Sequence, residues 1–389
     1  MFACCNPMAR VLYLYSQALK VGTPHARLTF QMLALLNEAG FKADLLTLPG
    51  GDPWPKGLAE HIYVTPKVPF TQTLQPYGIG FRRIWATIVM ALTTMRLFLQ
   101  HRYDIVHCSD RAIRIGGLIA WLFGTKFVFE WRSTSGHDLI RWARWRTQRF
   151  RNSVSLVLTD TPYSVTQLRE SGLYGKIASI QALPHPALTQ LPPLAIRQHP
   201  SARQFRLTAF SYDNKLADLS IFCSALPLLL THQNIRITLV GGTPTAAERL
   251  RQKLVHRLPH AAGALTIRPK AIDTQDFVDC IAEADLVFLP ICSGEVPPPL
   301  LLDVMVCGRA IMATRCPAYQ SLLTHQNATL VGADIMQIAD SINYHLESPL
   351  RGAELARAAA ETIAKERNPA SVVAALRSCY TFILMEPQS

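Results

Sequence analysis

Residues 286–314 read LVFLPICSGEVPPPLLLDVMVCGRAIMAT. The apolar run 286–290 predicts a buried strand, and the prolines after the polar SGE loop introduce an apolar helix at 299–307, because proline is tolerated in the first helical turn. A second apolar run at 310–313 predicts another strand. A strand, a crossover helix and a second strand form the repeating unit of parallel sheets. The stretch therefore predicts an α/β fold.

The same alternation of apolar strands and amphipathic helices runs along the whole chain and predicts two doubly wound parallel sheets. The predicted strands are Val11–Ser16, Ala43–Leu48, Ile105–Cys108, Phe127–Trp131, Ser155–Thr159 and Ile177–Gln181, and then Leu207–Ser211, Ile235–Val240, Leu265–Arg268, Leu286–Pro290, Ala310–Ala313 and Thr329–Val331. Helices are predicted between them at 25–39, 80–100, 112–122, 137–150 and 163–171, and then at 217–231, 245–258, 274–283, 299–307 and 334–346.

A proline-rich stretch at 183–200 is the best linker candidate in the chain. We therefore expect an N-terminal Rossmann-like domain over 1–190, a C-terminal Rossmann-like domain over 200–350, and closing helices over 351–389. Two such domains facing each other form a central cleft. Ligands bind to sheets of this kind at the carboxyl ends of the strands.

The charge of the protein is unevenly distributed. The composition is that of a globular chain, and the net charge is +12. Residues 1–190 hold 21 Lys+Arg against 10 Asp+Glu, whereas residues 191–389 hold 18 against 17. The sequence has no polybasic run, no zinc-finger spacing and no signature that combines basic with aromatic residues. Their absence disfavours nucleic acid as the partner. The positive field belongs to the first half of the chain.

Cysteine usage and hydropathy indicate the compartment. The nine cysteines form no C-x-x-C pair, and several lie in apolar runs as buried thiols do, which favours a reducing cytoplasm. The first ten residues lack the apolar core and the cleavage site of a secretion signal. The longest uncharged apolar stretch, Ile84–Met95, is shorter than the roughly 20 residues that span a bilayer. We expect a cytoplasmic protein that is at most peripheral on a membrane.

Two acids in the opening stretch are candidate ligand-binding residues. Glu295 lies at the mouth of the predicted helix, and Asp303 follows after seven intervening residues, about two turns into it. Two carboxylates at this spacing can hold two hydroxyls of one extended ligand. Asp303 lies within an apolar run, where a carboxylate is costly unless it is satisfied, which favours a ligand. The alternative is that Asp303 caps or solvates a helix face.

Two glycine-containing loops follow predicted strands. Gly241 and Gly242 lead into a helix at 245–258, so backbone amides there can approach an anion at the helix N-terminus. Gly22 and Thr23 occupy the corresponding place after the first strand and could cradle a phosphate or a sugar. An ordinary tight turn is the alternative for both loops.

These features together resemble glycosyltransferase family 4, whose members have the GT-B fold. The family carries a Glu, seven residues and a second Glu followed by AMAxGxPV, and residues 295–311 are similar, with Asp303 in place of the second Glu. Further similar segments are YDIVHC at 103–108, SLVLTDTPYS at 155–164, LVGGTP at 239–244 and IAEADLVFLP at 281–290. Their order and spacing make the resemblance specific.

The resemblance implies a retaining transfer from a nucleotide-sugar co-substrate, with no cofactor and no metal ion. Glu295 would contact the donor sugar, Asp303 the ribose hydroxyls and Lys215 the diphosphate, whose charge develops as it leaves. The family places an Arg beside that Lys, and the segment 210–218, FSYDNKLAD, has none. The base and the sugar are not indicated.

A second departure from the family concerns Arg132. It stands where the family often has a His after the fourth strand of the first domain, two residues beyond Glu130. Some members carry a similar acid-x-Arg pair, and the resemblance implies that Arg132 acts as a catalytic cation facing the diphosphate. A surface ion pair between Glu130 and Arg132 is the alternative.

The segment 82–151 holds 13 Lys+Arg against 4 Asp+Glu, so most of the positive excess lies there. Arg82 and Arg83 begin an apolar helix, and Arg141 and Arg144 lie among tryptophans. Basic residues with Trp and Leu favour docking to an anionic membrane, the inner face of the plasma membrane, where a lipid-linked acceptor would wait. The alternative is a solvated helix whose Trp belongs to the core.

The predicted function is transfer of a sugar to a glycan or lipid-linked acceptor, in surface polysaccharide or glycolipid assembly. The alternative is a catalytically silent GT-B-like protein that binds a glycan or supports a partner enzyme, as the missing Arg and the Asp303 replacement would suggest. A nucleic-acid-binding protein has only the charge in its favour.

Overall fold

The structure is a computed structural model of the 389-residue chain. It describes residues 9–16, 24–50, 57, 59–66, 79–109, 112–131, 154–170, 179–184, 204–211, 219–231, 234–259, 263–269, 274–290 and 299–386. At positions 24, 25, 27, 79–83, 274–278, 299 and 318 the description covers the backbone alone.

The chain divides into two compact units, Met1–Pro186 with Pro369–Ser389, and Ala187–Asn368. In the described part of the first unit seven parallel strands form one sheet in the order β3-β2-β1-β4-β5-β6-β7. The strands are β1 (Arg10–Tyr15), β2 (Lys42–Thr47), β3 (Ile62–Val64), β4 (Ile105–Ser109), β5 (Lys126–Trp131), β6 (Val154–Thr159) and β7 (Ser179–Ala182). The helices between them are α1 (Pro24–Glu38), α2 (Ile79–Gln100), α3 (Ile113–Phe123) and α4 (Pro162–Glu170).

The second unit repeats this plan with six described strands, all parallel, in the order β10-β9-β8-β11-β12-β13. They are β8 (Phe205–Phe210), β9 (Ile235–Val240), β10 (Leu265–Arg268), β11 (Leu286–Leu289), β12 (Ala310–Thr314) and β13 (Thr329–Val331). The helices are α5 (Ser220–Leu229), α6 (Pro244–Arg257), α7 (Thr274–Glu283), α8 (Pro299–Val306), α9 (Pro317–Gln320), α10 (Ile335–Glu347) and α11 (Pro349–Glu366). A last helix, α12 (Pro369–Met385), belongs to the first unit.

Both faces of each sheet are covered by helices, which explains the continuous apolar strands of the sequence. In β1, Leu12 and Leu14 join one core cluster with residues of α2 and α3. Val11 and Tyr13 point to the opposite face and join a second cluster with residues of α1 and α12. The α/β fold class with two parallel sheets is confirmed, and each of the twelve predicted strands is present.

Two short elements were not predicted from the sequence. The strand β3 has three residues at the edge of its sheet, and α9 has only one turn. Such short segments contain too few residues for a hydrophobic period to emerge. The predicted helix at 137–150 lies outside the described residues. None of the described helices is long and apolar enough to cross a membrane.

A buried histidine makes the stability of the second unit depend on pH. His345 of α10 is 2% exposed, and its Nε2 lies 2.9 Å from the hydroxyl of Thr329. Burial, together with a smaller contribution from the charge of Arg351, lowers its pKa from 6.5 to about 4. The side chain is therefore neutral in the folded protein near pH 7.

We expect the second unit to lose stability as the pH falls from 6.5 towards 4. The unfolded chain binds a proton at His345 in this range and the folded chain does not, so acid favours unfolding. At pH 5 this loss amounts to about 2 kcal/mol relative to pH 7.5. Urea unfolding followed by circular dichroism, with a His345→Gln variant, measures the difference.

The matched control is His325→Gln, because His325 is an exposed histidine of the same unit. This control should keep the acid-side slope of the unfolding free energy, whereas His345→Gln should flatten it. An unchanged slope in His345→Gln would show that another group causes the pH dependence.

Candidate active site

The sheet of the second unit reverses its strand order between β8 and β11, a position at which parallel sheets bind ligands. Ser211 follows β8, and its backbone N–H donates to the Val240 carbonyl at 2.9 Å. Its hydroxyl oxygen is buried and has no hydrogen-bond partner within the described ranges. Pro290 follows β11, and its carbonyl accepts a hydrogen bond of 2.8 Å from the Tyr319 hydroxyl. The carboxyl ends of both strands are thus fixed by neighbouring elements.

The loop after β9 brings backbone amides to the same edge of the sheet. Gly242 has a φ of 72°, in the left-handed region that favours glycine. The N–H of Gly241 donates to the Arg268 carbonyl at 3.1 Å. Thr243 caps α6, since its hydroxyl accepts a hydrogen bond of 3.2 Å from the Ala246 N–H. The loop and the helix N-terminus together form an arrangement suited to an anion.

Asp303 lies on α8, the helix that follows β11. Its side chain is 1% exposed and lies between the buried Leu302 and Val304, so it does not solvate an outer helix face. Burial raises the pKa of the nearby Cys307 thiol to about 11, and the negative charge of Asp303 contributes to this rise. A carboxylate at this depth is stable only with polar partners.

Several predicted site residues lie outside the described residues. These are the candidate donor-binding and catalytic residues Gly22, Thr23, Arg132, Lys215 and Glu295. Of the basic residues on the predicted acceptor or membrane side, Arg141 and Arg144 are also outside, and Arg82 and Arg83 are described only as backbone in the first turns of α2. The roles assigned to all of them stay predictions.

The first unit contains a buried polar network at the centre of its sheet. The Tyr13 hydroxyl donates a hydrogen bond of 2.8 Å to Oε2 of Glu130. Nε2 of His107 lies 3.4 Å from the same oxygen. The Tyr380 hydroxyl, from α12, lies 2.6 Å from Nδ1 of His107. All four side chains are at most 2% exposed, so the network is shielded from water.

Burial raises the pKa of Tyr380 well above 10, and the charge of Glu130 contributes, so the phenol keeps its proton. The Tyr380 hydroxyl and Nδ1 of His107 share a hydrogen bond whose direction depends on the tautomer of the imidazole. On the other side of the ring, Nε2 lies beside the carboxylate oxygen that the Tyr13 hydroxyl also contacts.

Glu130 is 2% exposed and bonded to Tyr13, so this residue does not lie on the surface. Arg132 lies outside the described residues, so its pairing with Glu130 and its role as a cation stay predictions. Glu130 pairs in register with Ser109 at the carboxyl end of β4. The buried hydroxyl oxygens of Ser109 and Thr159 and the indole nitrogen of Trp131 have no hydrogen-bond partner in the described part of the chain. Polar groups therefore gather where β4, β5 and β6 end.

Solved structures with the same fold are known. The chain is similar to sucrose-phosphate synthase from Thermosynechococcus elongatus, with a TM-score of 0.71 and 14% identity over 96% of this chain and 99% of that one. It is similar to HepE from Anabaena in complex with UDP (TM-score 0.70, 15% identity, 96% and 100% covered). It is also similar to the catalytic domain of starch synthase IV from Arabidopsis thaliana, bound to ADP and acarbose, with a TM-score of 0.70 and 13% identity over 97% of this chain and 100% of that one. A comparison with curated protein sequences finds no match.

Two family models match the sequence itself. A glycosyl transferase 4-like domain matches residues 25–184, and the glycosyl transferases group 1 model matches residues 208–348. Together they cover most of the chain, one match on each unit. The chain is a GT-B glycosyltransferase. The GT-B fold expected from the sequence is thereby confirmed.

Sequence reasoning missed part of this glycosyltransferase's buried network. The resemblance includes His107 only within the segment YDIVHC at 103–108, and it includes neither Tyr13 nor Tyr380. A polar side chain in an otherwise apolar strand was the available signal for Tyr13 and His107. No local pattern points to Tyr380, because it lies 273 residues from its partner.

Among the described residues of the glycosyltransferase, one group has the spacing of metal ligands, namely Asp44, Glu60 and His61. The oxygens of Asp44 already accept hydrogen bonds from the Tyr103 hydroxyl (2.7 Å), from Arg10 (3.1 Å) and from the backbone N–H of His61 (3.1 Å). The cluster joins the starts of neighbouring strands, and its contacts account for the buried carboxylate without an ion.

We expect Tyr380→Phe to lower the unfolding free energy of the first unit by about 1–3 kcal/mol, because it removes the hydroxyl that hydrogen-bonds the buried Nδ1 of His107. All six tryptophans (54, 85, 121, 131, 142 and 145) lie in the first unit, so their fluorescence during urea unfolding reports on this unit.

Tyr344→Phe is the matched control, since Tyr344 is a half-exposed tyrosine of the second unit. It should leave the tryptophan-detected transition unchanged. Equal midpoints for the two variants would contradict a stabilising role for the Tyr380 hydroxyl.

Proposed function

We propose that the protein is a retaining glycosyltransferase. It moves a sugar from a nucleoside-diphosphate donor, bound by the second unit, to a glycan or lipid-linked acceptor bound by the first. The observation that carries the proposal is the buried carboxylate of Asp303 on α8, the helix that follows β11, together with the Gly241–Gly242 loop that follows β9.

The donor-binding roles are those that the family resemblance implies. Asp303 accepts hydrogen bonds from the ribose hydroxyls, as a carboxylate readily does. The amides at the start of α6 and the side chain of Lys215 face the diphosphate, and Glu295 contacts the sugar. Neighbours of this fold have been solved with UDP and glucose and with ADP, which supports a nucleoside diphosphate without selecting the base.

The proposed reaction needs no group other than the two substrates and this chain. The bond between the anomeric carbon and the diphosphate oxygen breaks, and a bond to the acceptor hydroxyl oxygen forms on the same face of the sugar. The acceptor proton passes to the leaving phosphate oxygen. Lys215 and Arg132 stabilise the negative charge that develops there, a contribution of several kcal/mol at typical sites.

A catalytically silent GT-B-like protein that binds a glycan or supports a partner enzyme is the second candidate. The absence of an arginine from the segment 210–218 favours it, because one cation beside Lys215 is then missing. The two candidates differ in whether a nucleotide sugar binds and is turned over.

We expect at least one nucleotide sugar from a panel of UDP, ADP and GDP sugars to raise the melting temperature and to be hydrolysed slowly without an acceptor. Glu295→Ala should abolish the hydrolysis, because it removes the carboxylate that contacts the sugar. A chain that responds to no donor would be the silent protein instead.

We expect Asp303→Asn to weaken binding of the responsive donor about 10- to 100-fold, since a hydrogen bond to a charged group contributes about 1.5–3 kcal/mol. Isothermal titration calorimetry with the nucleoside diphosphate of that donor measures the dissociation constant. The control Asp340→Asn changes an exposed aspartate of the same unit and should bind like wild type. Equal affinities of the two variants would show that Asp303 does not bind the ribose.

A further inference from the structure

The helices α2 and α3 expose an unusual amount of apolar surface for neighbouring elements of one unit. Among the described side chains of these helices, seven large apolar ones are exposed, and together they are called the α2–α3 patch: Ile84, Trp85, Ile88, Leu92 and Leu99 on α2, and Trp121 and Leu122 on α3. Leu99 and Trp121 are exposed to 75% and 66%. Exposed apolar residues scattered singly need no explanation, but a contiguous set marks an interaction surface.

Helix geometry shows that the five α2 residues share one face. At 100° per residue they fall within an arc of about 100°. Met90 and Leu97 point in the opposite direction and belong to the core of the sheet. The helix therefore has two apolar faces, of which folding uses one. The outward face extends from Ile84 to Leu99, a length of about 22 Å.

The C-terminal turn of α3 continues the same surface. The rings of Phe98 and Phe123 lie 4.9 Å apart and join the last turns of the two helices. Trp121 and Leu122, which precede Phe123, therefore lie close to the Leu99 end of the α2 stripe. The patch is an extended strip along α2 that broadens at one end.

The charge around the patch distinguishes between its potential occupants. The 22 residues of α2 and the 11 of α3 contain no Asp or Glu. Arg96 is exposed at the edge of the apolar arc, and the exposed Arg102 follows the helix. A second copy of this surface would meet the arginines with the same acid-free helices, so it offers them no opposite charge. A surface of anionic headgroups neutralises them, and tryptophan favours the boundary between headgroups and acyl chains.

We propose that the α2–α3 patch docks the protein on an anionic lipid bilayer. The apolar strip lies flat at the depth where headgroups meet acyl chains, and the flanking arginines contact lipid phosphates. The inference is independent of catalysis, because it uses none of the residues assigned to the donor.

Docking also indicates which class of acceptor the protein uses, and this step rests on the proposed function. Phe98 contacts Tyr103, whose hydroxyl bonds Asp44 near the starts of the strands, so the C-terminal end of α2 lies at the amino edge of the sheet. Trp85, at the other end of α2, therefore lies towards the carboxyl edge, where an acceptor would bind. A lipid-linked acceptor then reaches that edge from the membrane.

Flotation of the purified full chain with phosphatidylcholine vesicles, with and without phosphatidylglycerol, tests the docking in the absence of donor and acceptor. The chain should float with the phosphatidylglycerol vesicles, less so at high salt, and with a blue shift of tryptophan emission. Leu92→Glu should reduce the bound fraction about tenfold or more, the equivalent of one buried leucine.

Thr87→Glu is the matched control, because it adds the same charge to an exposed position of α2 outside the apolar arc. It should float nearly as well as wild type. Absence of flotation with anionic vesicles, or equal flotation of both variants, would overturn the proposal. A dimer in sedimentation that Leu92→Glu converts to a monomer would assign the patch to self-association instead and would also overturn it. Neither result depends on whether the chain transfers a sugar.

Discussion

The parallel alignment of the strands is the constraint on which the rest of the structure depends. A parallel connection needs a crossover, and the crossover helices cover both faces of the sheet, so both faces must be apolar. Polar side chains are then placed most cheaply at the strand ends, and the carboxyl ends of all strands meet at one edge. Ser109 and Thr159 in the first unit, and Ser211 in the second, lie at this edge. The candidate sites of both units are consequences of the same alignment.

Glu130 departs from this rule, because it carries a carboxylate into a largely apolar face of the first sheet. Such a group is tolerated only with polar partners, and Tyr13 and His107 from the two preceding strands of the sheet face it. The other ring nitrogen of His107 also needs a partner, which the Tyr380 hydroxyl supplies. The last helix of the chain thus completes the first unit, although the whole second unit lies between them in sequence. The burial of one acid explains a long-range connection of the fold.

The limits of prediction from the sequence follow from the range of the interactions. The strand Ile235–Val240 and the helix Thr274–Glu283 were predicted with the observed bounds, because a local hydrophobic period defines them. The return of α12 to the first unit has no local pattern, since it depends on side chains far apart in the chain. Gly241 was predicted in a loop after a strand and Asp303 in the helix that follows another strand, and the structure places both there. Their role in binding a donor stays a prediction. The partners of Glu130 lie on other strands, so predicting them requires the register between strands. The spacing of residues within one segment does not give that register.

The unequal charge of the two units is consistent with two different kinds of ligand. A nucleoside diphosphate needs donors at a few fixed points, and a glycine loop, a helix N-terminus and one or two cations supply these without a large net charge. A bilayer with anionic lipids presents negative charge over a wide area. The attraction of a protein to it grows with the number of basic residues on the protein surface. The first half of the chain has that distribution, with an excess of basic residues and two adjacent helices free of acids. Because α2 also keeps a second apolar face that the core does not use, its charge and its hydrophobicity favour the same ligand. The positive field of the protein is thus explained better by the surface of a membrane than by the donor.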